Sequence, residues 1–126
     1  MSIKIHPIHS SDNYIWCIHN KSHACVVDPG NDDVVIRYLE AKQLVLSDIL
    51  ITHHHFDHTA GIQQLVTHYQ NVTVYGPKTS KIQGITNTVG DSESFLLDSL
   101  NQEITVINTP GHTLDHISFI MDKHIF

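Results

Sequence analysis

The chain is poor in positive charge. Seven Lys and Arg stand against thirteen Asp and Glu, leaving a net charge of −6 with the histidines neutral. The seven are scattered, which argues against nucleic-acid binding as the main function, since that calls for a basic stripe. Long hydrophobic runs are missing too: none approaches the length of a membrane span. Met1-Ser2-Ile3-Lys4 opens directly into strand pattern without the apolar core of a signal peptide, so the expected location is the cytoplasm. Cysteine is scarce, at two. If Tyr14 to His19 and His23 to Asp28 are strands joined by Asn20-Lys21-Ser22, Cys17 faces Cys25 and a disulfide is conceivable. In a cytosolic protein the preferred reading is two reduced thiols packed as small apolar groups. Low-complexity segments and clear linkers are lacking as well. The 126 residues make one domain at most, long enough for a core.

Histidine is abundant, with twelve in the chain. Residues 52 to 59 read Thr-His-His-His-Phe-Asp-His-Thr, so that His53, His54, His55, Asp57 and His58 crowd into six positions. Imidazole and carboxylate are ligands that zinc and related transition metals prefer. A purification tag would sit at a terminus and be purely histidine. This cluster instead follows the apolar run Asp48-Ile49-Leu50-Ile51, which is expected to be a strand buried on both faces. In extended backbone His53 and His55 point the same way and can reach one ion, whereas His54 points opposite. Asp57 and His58, with the chain turning, are placed for a second ion. Beyond Thr59, residues Ile62, Leu65, Val66 and Tyr69 fall at i, i+3, i+4 and i+7, the stripe of an amphipathic helix. The ligand loop therefore lies between a strand end and a helix start, where sheets of α/β type commonly bind ligands.

A further ligand is expected from far along the chain. Glu103-Ile104-Thr105-Val106-Ile107 reads as a strand, and Thr109-Pro110-Gly111-His112-Thr113 follows it. Pro110 and Gly111 punctuate a turn that would aim His112. Beside the first cluster, His112 becomes the third histidine of one metal site. Elsewhere strands and helices alternate. Asn31 or Asp32 caps a helix running to about Gln43 with Val35, Tyr38 and Leu39 on its apolar face. Lys78 to Thr88 reads as irregular, and Phe95-Leu96-Leu97 resumes strand character. Ile117 to Met121 is a strand; Met121 to Phe126 carries no turn signal and ends strand-like. Asp28 either accepts a ligand histidine's N–H behind the loop or caps the turn after it. His116 either supports a ligand or sits on the surface. His6, His9, His19, His23, His68 and His124 have no motif context. Trp16 and the tyrosines are expected in the core.

His53-x-His55-x-Asp57-His58 followed by Gly111-His112-Thr113 resembles the metal-binding signature of the metallo-β-lactamase superfamily. The string Thr52 to His58 is most similar to hydroxyacylglutathione hydrolases, also called glyoxalase II. Asn13-Tyr14, Val26-Val27-Asp28-Pro29-Gly30, Val74-Tyr75-Gly76-Pro77, and Thr109 to Thr113 with His116 agree with it, so the resemblance spans essentially the whole chain. It implies an α/β (α+β) fold, a metallo-β-lactamase-like αββα sandwich of which residues 1–126 hold the N-terminal half and the start of the second. It implies that His53, His55 and His112 hold one divalent ion while Asp57 and His58 contribute to another, Asp57 being also the candidate catalytic residue. Zinc is the default, with iron or manganese as alternatives. A hydroxide bridging the ions would attack the thioester of S-D-lactoylglutathione, giving D-lactate and glutathione. The leaving thiolate needs little proton assistance, a thiol pKa being only about 8.5.

The departures from the family pattern matter as well. The bridging aspartate expected soon after Ile117 to Met121, the last second-site histidine and the C-terminal glutathione-binding region have no counterpart here. Asp115 and Asp122 do not occupy the motif position. The chain is accordingly read as a domain incomplete at its C-terminus, with substrate-binding residues and oligomeric state open, and with less stability and more tendency to associate than the parent. Rival readings are other chemistry of the same fold, such as persulfide dioxygenase or lactonase, and a catalytically inactive metal-binding module. No nucleic-acid or membrane partner is expected.

Overall fold

Val45–Leu50 (β4) ends in a buried run: Ile49 and Leu50, with Ile51 after them, are fully buried. Burial on both faces demands a layer on each side, and the computed structural model supplies both. It describes residues 3–10, 13–53, 59–78, 82–109 and 116–126. Lys4–Ser10 (β1), Asn13–His19 (β2) and His23–Val27 (β3) form an antiparallel meander. Then β4, Thr73–Pro77 (β5) and Asn87–Val89 (β6) add parallel strands, giving a six-stranded sheet in the order β1-β2-β3-β4-β5-β6. Ser94–Leu97 (β7), Gln102–Asn108 (β8), Ile117–Met121 (β9) and His124–Ile125 (β10) make a second, antiparallel sheet.

The parallel strands need crossovers, and two are helical: Asp32–Ala41 (α1) and Ile62–His68 (α2). The Asn31 side chain accepts from the Val34 amide at 3.2 Å and so caps α1. Both helices bury one face, Val35 and Leu39 from α1, Ile62 and Leu65 from α2, against Ile15, Cys17, Val26 and Ile49 of the first sheet. The opposite face of that sheet, with Ile18, Cys25, Val27 and Leu50, packs on Leu97, Ile104, Val106 and Phe119 of the second. The result is an α–β–β stack, three of the four layers expected; among the described residues no helix covers the outer face of the second sheet.

Two local expectations need correction. Cys17 pairs with Val26 and Cys25 with Ile18, so the cysteines lie on opposite faces of the sheet, in separate cores. The cause is the turn. Asn20 N–H donates to His23 O at 3.1 Å, while the Asn20 side-chain oxygen accepts from the Ser22 and His23 amides. The turn thus sets Asn20 opposite His23 and His19 opposite Ala24, one residue off the register that pairs Cys17 with Cys25, and a one-residue slip moves every side chain to the other face. Both thiols are free, and burial pushes that of Cys17 up to about 12. The second correction is at the end of the chain. Asp122 adopts a left-handed conformation (φ 55°), and Asp122-Lys123 joins β9 to β10 as a tight hairpin pairing His124 with Met121. Smaller departures are the end of α1 at Ala41, with Gln43 left-handed at φ 58°, and the strand character of Asn87 and Thr88.

Candidate metal centre

The hydrogen-bonded register of the parallel strands brings the ends of β3 and β4 side by side. The Asp28 amide donates to Leu50 O at 2.8 Å and the Ile51 amide to Tyr75 O at 2.8 Å. Just past these ends, Asp28 turns left-handed (φ 52°), a conformation that aspartate tolerates better than most residues. Its carboxylate is buried and reaches Thr52: Oδ1 accepts the Thr52 amide at 2.8 Å and Oδ2 accepts the Thr52 hydroxyl at 2.6 Å. The same Thr52 Oγ1 lies 2.7 Å from His53 Nδ1. Since the single hydroxyl proton is given to Asp28, Oγ1 is the acceptor and His53 Nδ1 carries a proton. The chain Asp28–Thr52–His53 thus fixes the tautomer whose lone pair sits on Nε2, the state in which imidazole binds a metal. His53 is 3 % exposed, so its ring is held as well as oriented.

A second loop meets the first. The Thr109 amide donates to His116 O at 3.0 Å, closing the base of the segment that contains His112. The Ile117 amide then donates to Thr52 O at 2.9 Å, tying the start of β9 to the histidine loop. Across this joint the rings of His53 and His116 stack with centroids 4.9 Å apart and planes 28° apart. His116 Nδ1 is 2.9 Å from Thr109 Oγ1, which is 2.9 Å from Ser118 Oγ. Hydroxyls therefore position both rings. The far end of the histidine loop is fixed by Gly61, whose amide donates to Pro29 O at 2.9 Å.

Of the residues singled out in the sequence, His53, Asp28 and His116 come together. Asp28 acts on the histidine through Thr52. His54, His55, Asp57, His58 and His112 lie outside the described residues, and among the described residues no three His, Cys, Asp or Glu converge as a metal-binding group. The sequence reading missed Thr52 and Thr109, whose roles as relays have no signal beyond their place beside a histidine. It also misplaced Trp16. A cavity of about 260 Å³ beside His53 and His116 is walled by Tyr14, Trp16, Ile125 and Phe126, and Trp16 is 38 % exposed. Tyr14 and Trp16 project from the same face of β2 as Ile18, but Tyr14 is half exposed and Trp16 meets the rings of Tyr14, 6.3 Å away, and Phe126, 6.4 Å away.

Residues 11–126 match the metallo-β-lactamase superfamily. The chain belongs to that superfamily. It is 48 % identical over 118 residues to a hydroxyacylglutathione hydrolase of Pseudoalteromonas translucida, covering 92 % of this chain and 45 % of that protein. With the hydroxyacylglutathione hydrolase of Aliivibrio fischeri the identity is 39 % over 127 residues, covering 100 % of this chain and 49 % of the relative. The chain spans about half the length of the curated relatives it matches. Among solved structures it is similar to ETHE1 from Myxococcus xanthus, with a TM-score of 0.80 and 25 % identity over 100 % of this chain and 56 % of that one. The BLEG-1 B3 metallo-β-lactamase shares the fold, with a TM-score of 0.78, at 22 % identity over 97 % of this chain and 68 % of the other.

Proposed function

We propose that the chain is the metal-binding part of a thioesterase resembling hydroxyacylglutathione hydrolase, with S-D-lactoylglutathione as substrate. The observation that carries this reading is the meeting of the two histidine-bearing loops at Thr52 and Ile117, with His53 held by the Asp28–Thr52 relay. In this reading His53, His55 and His112 hold one divalent ion and Asp57 and His58 contribute to a second, with zinc the default metal. Such ions supply Lewis acidity, making water more acidic and polarising the thioester carbonyl.

The chain's own residues prepare that chemistry. The relay presents the Nε2 lone pair of His53 without a proton to displace. Burial of Thr52 and His53 keeps bulk water from competing for the ring. The Tyr14 and Trp16 wall offers an apolar face to the organic part of a thioester beside the loops. A glutathione thiolate leaves without a proton donor, since its pKa is only about 8.5. Asp57 is the proposed catalytic residue, and the proposed location is the cytoplasm.

The test pairs elemental mass spectrometry with the decay of thioester absorbance on the purified protein. His55→Ala is expected to lose metal from the first site and to lower hydrolysis by at least about 100-fold. Unchanged metal content in that variant overturns the ligand assignment. Oxygen consumption with glutathione persulfide but no thioester hydrolysis replaces the reading with a dioxygenase. Bound metal with neither activity leaves a metal-binding module.

A further inference from the structure

We propose a second ligand site, for a phosphate-bearing small molecule, at the end of the first sheet remote from the histidine loops. A cavity of about 420 Å³ there is lined by Lys4, His19, Asn20, Lys21, Lys42 and Leu44. An adjoining hollow of about 390 Å³ shares Lys4, His19 and Lys42 and adds Ile5, His6 and Tyr38. The three lysines come from three elements: the first residue of β1, the β2–β3 turn and the C-cap of α1. They are three of only seven basic residues in a chain of net charge −6.

Their neighbours make the concentration unusual. Arg37 is paired with Asp33 and Lys78 with Glu93, whereas Lys4, Lys21 and Lys42 form no ion pair among the described residues. Among the described residues no carboxylate lines either hollow. Lys42 has a structural explanation of its own. It follows the last turn of α1, where a cation complements the helix dipole, and its ammonium lies 5.9 Å from the Tyr38 ring centroid. That explanation does not extend to Lys4 or Lys21. Ammonium groups converging on one hollow suit a phosphate, which lysine binds as a point charge.

The floor is preorganised and partly apolar. His19 is buried; its Nδ1–H donates to Asn20 O at 2.9 Å, which leaves Nε2 as the acceptor for the Tyr38 hydroxyl at 3.3 Å. Asn20 is fixed in turn by donating to Ser99 O at 2.9 Å. His6 stacks on Tyr38 at 4.7 Å, and Ile5 and Leu44 complete a surface for the organic portion of the ligand. This site is not an extension of the metal centre. Strand β4 begins beside it at Val45 and ends at Leu50 before the histidine loop, so the two are separated by about 20 Å.

The test is a titration of the full chain with inorganic phosphate and with pyrophosphate at constant ionic strength, followed by amide NMR. The amides of Lys21, Ser22, Lys42 and Gln43 are expected to shift saturably, with pyrophosphate binding tighter than phosphate. Lys21→Gln and Lys42→Gln, both on the surface, are each expected to weaken binding about fivefold while leaving the rest of the spectrum unchanged. Absence of saturable shifts at these amides overturns the proposal. So does binding that persists undiminished in the Lys21→Gln/Lys42→Gln double variant, which would place the anion elsewhere, as at the histidine loops.

Discussion

Thr52 lies in the strand-to-loop step where a carboxylate, a hydroxyl and an imidazole are joined in series, at 2.6 and 2.7 Å. Its hydroxyl connects Asp28 to the His53 ring. Thr52→Val keeps the shape and the backbone bond to Asp28 Oδ1 but leaves Oδ2 and the His53 N–H without that oxygen. Burial makes this loss costly, about 1–3 kcal/mol of stability. More telling is metal affinity, which should fall about 10- to 100-fold because the ring is no longer oriented. Thr52→Ser, which retains the hydroxyl, should recover most of it. Competition with a calibrated chelator measures both variants, and equal affinity for Thr52→Val and Thr52→Ser would refute the relay. Nothing in the sequence distinguishes this threonine from Thr59 at the other end of the cluster. A hydrogen bond from residue 28 to residue 52 depends on how β3 and β4 pair, which periodicity does not encode.

At the scale of elements, α2 is docked by its N-cap. A Cβ added to Gly61 would lie 2.4 Å from Pro29 O and 2.8 Å from Asp32 N, both backbone atoms that cannot swing away. Gly61→Ala must therefore push α2, and with it the end of the histidine loop, off the β3–α1 turn. The expected cost is about 2 kcal/mol, read as a fall in Tm of about 8 °C, with weakened metal binding beside it. Gly90→Ala is the control, because its new methyl meets nothing nearer than Lys78 Cδ at 3.4 Å. An unchanged Tm in Gly61→Ala would show that this close approach is not what seats the helix. These elements were legible in the sequence for a physical reason: a doubly buried strand and an amphipathic helix both write their burial into apolar spacing, and Asn31 writes its cap into residue type. Hairpin register was not legible. Whether Cys17 opposes Cys25 or Val26 turns on one side-chain oxygen of Asn20, and the β9–β10 reversal turns on Asp122 accepting a left-handed backbone. Trp16 shows a third limit. Aromatic character reports that a ring wants burial, whereas Trp16 here walls an open cavity and stays 38 % exposed.

At the scale of the whole molecule, the seam between the two sheets carries a charge that the packing penalises. Asp48 on β4 is buried in the layer that faces the second sheet and shares a polar hollow with Tyr75, Asp98 and Ser99. Burial raises its carboxyl above the ordinary 3.8; the Ser47 hydroxyl, donating at 2.8 Å, offsets part of this, and the charge of Asp98 adds to the rise. A carboxyl whose pKa is higher folded than unfolded makes the native state bind its proton first. The folded chain therefore gains stability as pH falls through the raised value toward 3.8 and bears the full penalty above it. Asp48→Asn keeps an acceptor for Ser47 and removes the charge, so it should be more stable than the parent at neutral pH. The gap should narrow as the solution is acidified and close near the unfolded carboxyl value. Taking the difference between the two proteins cancels the groups that titrate alike in both. Urea midpoints at a series of pH values, measured on both, decide the matter. A gap that is constant with pH would assign the effect to packing, and an Asp48→Asn protein less stable at neutral pH would mean that the carboxylate is held by the seam rather than tolerated there.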